Sequence, residues 1–149
     1  MPVDPVEIAR SLGLQVLRGN LPPDVAGVLM KRVGHDPRIV VAALDSENRR
    51  RFTVALELGH FVYRGAGTEA DTDQYEYVDE RSRLAREGTD RTEIFANRFA
   101  AELLMPEDVI RPVVKHISAA VLAGRFGVSQ EAMSDRLHNL KLTRLVRQA

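Results

Sequence analysis

The sequence predicts an α+β domain: a small twisted sheet over one central helix, followed by a helical extension at the C-terminal end. Three observations carry this. Short apolar runs bounded by turn residues fill the stretch before residue 45, a nearly uninterrupted apolar run lies within 52–62, and helix-start signals recur from residue 90 onward.

Asp4-Pro5-Val6-Glu7 opens the first helix. Asp4 can cap, Pro5 suits the first helical position and Glu7 completes a reciprocal capping box, and the helix should stop near Gly13. Residues 14–17, 25–30 and 38–43 read as strands, separated by Gly19-Asn20, Pro22-Pro23 and the breakers of 34–37. Their connections are too short for crossover helices, so the three strands are expected to pair antiparallel. Ser46 caps a helix over 47–63 whose second half is apolar on every side, the pattern of a buried central helix. A polar segment, 64–89, follows; its six acids between Glu69 and Glu80 have no Lys or Arg among them, and it reads as a surface loop. Further helices are expected at 91–104, 107–114, 118–126 and 130–140.

The 149 residues, 44% hydrophobic and 28% charged, fit one globular domain over 1–149, with 116–149 as a helix-turn-helix-like extension. No apolar run approaches the ~18–20 residues that cross a bilayer, and the N-terminus lacks a signal peptide's order, so no membrane is involved and a cytoplasmic location is expected. With no cysteine, disulfide frameworks and thiolate zinc sites are excluded. Lys plus Arg and Asp plus Glu both number 21, so no global charge draws the chain to nucleic acid.

Chemistry is concentrated in Leu56-Glu57-Leu58-Gly59-His60, in the middle of the apolar helix. A carboxyl and an imidazole buried there without partners cost several kcal/mol by the usual range for polar groups, so two of them three positions apart point to a site. The spacing is similar to HExxH, in which two histidines one turn apart grip zinc and the glutamate serves as general base. Leucine stands at the first histidine position. On spacing alone, a structural Glu–His pair is an equal reading.

The longer run RRFTVALELGHF at 50–61 resembles the signature helix of the ImmA/IrrE family of metallopeptidases, as does EIFANRFAAELLMP at 93–106 and LAGRFGVS at 122–129. The 4–12 helix and the AGVL strand at 26–29 also fit, so the resemblance spans nearly the whole chain. It implies a zincin-like fold and a zinc-dependent endopeptidase that cuts a regulatory protein, a helix-turn-helix repressor being the typical partner. It further implies that Glu57 is the catalytic base, that His60 and Glu93 are metal ligands, and that Asn97, one turn beyond Glu93, orients a ligand. Positions 93 and 97 share a helix face, which supports this placement independently. Glu93 also fits a plain capping box, Asp90-Arg91-Thr92-Glu93. Gly59 is about 1 kcal/mol worse than alanine within a helix, which close approach of a backbone or a substrate would explain.

Leu56 breaks the pattern. A catalytic zinc takes three protein ligands, and losing one is worth on the order of 3 kcal/mol, roughly a hundredfold in affinity, given the ~10–16 kcal/mol of four-ligand structural sites. Weak or absent zinc and little hydrolysis are therefore expected. Either the chain is a natural pseudo-enzyme or a histidine was replaced in a competent parent. The main alternative to a peptidase is a catalytically dead scaffold that sequesters a repressor. His35, His116 and His138 lack metal-ligand spacing to His60, and Arg49-Arg50-Arg51 reads as a solvated helix end, or as a partner for the acidic loop. A third alternative is DNA binding through 119–140, since 118–149 carries five Lys or Arg against Glu131 and Asp135. Those two acids would lie on the exposed side of the second helix, where phosphates repel them, and argue against it.

Overall fold

A computed structural model describes residues 2–65, 70, 72–81 and 91–148. The described chain forms two compact units, Asp4–Ala100 and Met1–Val3 with Ala101–Ala149.

In the first unit, α1 (Pro5–Ser11) starts where Asp4 accepts from the amides of Val6 and Glu7, with Pro5 in the first turn. Gly13 then turns the chain with φ +90°, a left-handed value that suits a residue without Cβ. Strands β1 (Gln15–Gly19), β2 (Val25–Lys31), β3 (Arg38–Ala42) and β4 (Tyr75–Glu80) make one sheet in the order β1-β3-β2-β4. The pairings correct the all-antiparallel expectation. β2 is antiparallel to both β3 and β4, but β1 runs parallel to β3, from Gln15 opposite Arg38 to Gly19 opposite Ala42. No crossover helix is needed, because β2 and β3 form a returning pair and β3, not β2, lies beside β1. The second correction is β4 itself. It occupies the middle of the segment read as a loop, and its alternating Tyr75 and Tyr77 mark a strand once the acids are set aside.

Helix α2 (Glu47–Tyr63) is capped by Ser46, whose hydroxyl accepts from the Arg49 amide. Every residue from Thr53 to Phe61 is buried, as an all-round apolar helix requires. It lies against β2 and β3, with Thr53 and Glu57 over Gly27 of β2, and Leu29, Ile39, Val41, Val54 and Leu58 are buried in the core. Arg50 donates to the carbonyls of Ala43 and Asp45, so this arginine of the helix end folds back on the β3–α2 turn and is not solely solvated. Helix α3 covers Arg91–Leu104.

The second unit is built from α4 (Glu107–Ile110), α5 (Ala119–Phe126) and α6 (Gln130–Asn139). Ser118 and Ser129 cap α5 and α6 through the amides of Val121 and Ala132. Gly127 ends α5 in the left-handed region, φ +65°. Its core is apolar: Ile110, Leu122, Met133, Leu137 and Leu142 are each almost wholly shielded from solvent. Arg136 donates to the Met105 carbonyl at 2.9 Å. Among the described residues no helix is long and apolar enough to cross a membrane.

Candidate active site

The site is built on α2. Glu57 and His60 lie on its buried middle turns, and α3 approaches closely enough to bring Glu93 to the imidazole. The approach is made possible by Gly59: a Cβ there would lie 2.7 Å from the Ala96 Cα and 3.0 Å from its carbonyl oxygen. The glycine that looked unfavourable in a helix is thus placed where two backbones touch, and the close approach is to a backbone.

His60 Nε2 and Glu93 Oε1 stand 3.4 Å apart, with 3% and 18% of the side chains exposed. Two ligands at about 2.1 Å from one tetrahedral zinc are about 3.4 Å from each other. The pair therefore has the separation of two donors to one ion. Leu56 lies one turn before His60 on the same face of α2, and it is 1% exposed. Its isobutyl group carries no donor atom and could not serve as a ligand. Among the described residues no group of three or more His, Cys, Asp or Glu could hold a metal ion. The donors present fit two corners of a zinc site and do not fit a catalytic one.

Glu57 is fully buried, and among the described residues neither of its carboxyl oxygens has a hydrogen-bond partner. Burial pushes its carboxyl well above the ordinary range, and the nearby carboxylates of Asp79 and Glu93 push it the same way. A buried acid without partners keeps its proton, because ionisation would place an unsolvated charge among like charges. Burial and the neighbouring carboxylates thus disfavour the ionised form of Glu57, the form a general base needs.

His60 is held on one more side. Its ring stacks on Tyr77 of β4 with centroids 5.3 Å apart and planes inclined by 16°. Among the described residues Nδ1 of His60 has no hydrogen-bond partner. The other predicted residues are placed as follows. Asn97 Nδ2 donates to the Glu93 backbone carbonyl at 2.9 Å, a bond within its own helix and not one to a ligand side chain. Asp90, the cap expected before Glu93, lies outside the described residues. His35, His116 and His138 are all exposed, and none forms a metal-type cluster with other described side chains. On α6, Glu131 and Asp135 are exposed as expected.

Two contributors were not foreseen from the sequence, Tyr77 and the buried Asp79. Both belong to β4, and the available signal was the period-two spacing of Tyr75, Tyr77 and Asp79. Beside the His60–Glu93 pair, Tyr63 and Phe95 form an exposed aromatic contact, with centroids 5.2 Å apart.

Comparison with known families gives one match. The family model of peptidase M78, described as the IrrE N-terminal-like domain, matches residues 9–138. No curated protein matches the chain.

Proposed function

The chain belongs to the peptidase M78 family, and on that premise we propose that it is a metallopeptidase scaffold which binds a polypeptide without cutting it. One observation supports the reading: His60 and Glu93 stand 3.4 Å apart, the separation of two donors to one ion, while the buried residue one turn before His60 is a leucine. When bound in a complete site, zinc would polarise a scissile carbonyl and acidify a water. This chain's own residues supply something else: a Glu–His pair, a buried carboxyl at Glu57 that resists ionisation, and an exposed aromatic pair, Tyr63 and Phe95.

The partner in this proposal is a helix-turn-helix repressor or a similar regulatory protein, the partner type that the resemblance to the ImmA/IrrE family implies. Exposed aromatic side chains next to the pair favour a polypeptide over a small polar molecule, because such rings anchor side chains at protein interfaces. The DNA-binding reading is less well supported, since Glu131 and Asp135 face solvent on α6.

The test is metal analysis and repressor cleavage by the chain and by its Leu56→His variant. Zinc affinity is expected to rise roughly a hundredfold in the variant, by the share of one ligand. Purified helix-turn-helix repressors should be bound by both forms and cut by the variant alone. One zinc per unaltered chain, together with repressor hydrolysis, overturns the binding-only reading.

A further inference from the structure

A histidine that serves as a metal-type donor is normally oriented through its second nitrogen, which hydrogen-bonds to a carboxylate, a carbonyl or water. For His60 Nδ1, which is buried, no carboxylate or carbonyl among the described residues supplies that restraint. Some other contact must hold the ring if Nε2 is to stay 3.4 Å from Glu93. The near-parallel stack on Tyr77 is the described contact able to do so.

Tyr77 is itself fixed at both ends. Its backbone is locked in β4 opposite Leu29 of β2. Its hydroxyl lies 3.5 Å from Nη1 of Arg64, whose guanidinium sits over the Tyr75 ring, 3.9 Å from the centroid. Arg64 caps α2 and donates its amide to the His60 carbonyl at 3.1 Å. The chain of contacts leaves α2 at the His60 ring, crosses to β4, and returns to α2 through Arg64, one turn after His60. A ring needed only to fill space would serve equally well tilted, since aromatic pairs commonly meet edge to face. Inclined by 16°, this one restrains rotation of the imidazole about its own axis.

We propose that Tyr77, clamped by Arg64, is a positioning residue that sets the plane of the His60 imidazole and keeps Nε2 directed at Glu93. The inference rests on the reading of His60 and Glu93 as paired donors, but its test needs no metal.

The experiment is proton NMR of the full chain, with His60 ring signals assigned through His60→Gln. The readout is the Overhauser contact between the His60 ring protons and the Glu93 side chain. Tyr77→Phe, which keeps the ring but removes the hydroxyl that meets Arg64, should weaken that contact without abolishing it. Tyr77→Thr, which suits a strand but removes the ring, should abolish it while the backbone amide spectrum stays dispersed. An undiminished contact in a folded Tyr77→Thr chain overturns the proposal. Should that variant fail to fold, Arg64→Met decides: loss of the contact supports the clamp, and an unchanged contact overturns it. Failure of the Leu56→His variant to gain zinc would sink the donor reading alone, and leaves the ring-orientation result standing.

Discussion

The middle of α2 and the α5–α6 pair are both helical, yet they follow opposite rules. In α5 and α6 each local signal agrees with the structure: serine caps at both starts, a left-handed glycine between them, and buried positions occupied by Leu122, Ala123, Met133 and Leu137. In α2 the most protected turns contain a carboxylic acid with no described partner and an imidazole with one nitrogen unmet. Natural sequences break consistency of this kind chiefly where a site requires it. The pair α5–α6 shows what a segment looks like when folding alone sets its residues. The centre of α2 shows polar groups kept at a cost to stability, about 1–3 kcal/mol for a buried group left without a partner.

The contrast can be broken by substitution. The largest effect is expected in the region that follows the rules: Leu137→Ala removes a buried side chain from an apolar core and should cost about 2–5 kcal/mol in urea unfolding. A loss below 1 kcal/mol, on the scale of surface changes, would show that α6 contributes little to the stability of its unit.

A sharper test uses one chemical change in both regions. Gly124 in α5 has open space where a Cβ would go, so Gly124→Ala should stabilise by about 1 kcal/mol through helix propensity. Gly59→Ala drives the same methyl into the Ala96 backbone and should destabilise by about 1–3 kcal/mol. Equal signs for the two substitutions would mean that α2 and α3 can part freely, and the His60–Glu93 spacing would lose its structural cause.

The last effect is a slope with pH and not a fixed loss, and it concerns Glu57. Its folded carboxyl titrates well above the unfolded one, so below about pH 4 both states are protonated and no penalty exists. As pH rises past the unfolded value, the unfolded chain releases this proton while the folded chain retains it. Stability due to this group then falls, by at most about 1.4 kcal/mol per pH unit, until the folded carboxyl ionises. Glu57→Gln removes that slope. Unfolding midpoints of the two forms measured from pH 4.5 to 7.5 should diverge in favour of glutamine. A constant gap across the range would show that Glu57 is ionised in the fold.

Much of this was readable from local sequence. Asp4, Ser46, Ser118 and Ser129 each cap the helix they precede, because a cap depends on residues within one turn. The His60–Glu93 pair was found through matching motifs on two helices, and Gly59 carried a hint of the contact between them. The features missed are nonlocal. The parallel pairing of β1 with β3 depends on how the β2–β3 return is inserted, which no short window contains. Strand β4 was obscured by Glu76, Asp79 and Glu80, which dilute the apolar half of its alternation. With β4 hidden, the Tyr77 stack and the carboxylate of Asp79 near Glu57 were hidden as well.

Leu56 has a consequence for evolution and for directed selection. Leucine and histidine codons can differ by a single base in the middle position, and the missing donor is in any case confined to one codon. The close approach of α2 and α3 at Gly59 and the stacked Tyr77 ring frame the two donors. Such a scaffold stays poised at the edge of a lost chemistry. A random library screened for repressor cleavage should therefore be dominated by changes at one codon, with few of the scattered compensations that a degraded site would demand.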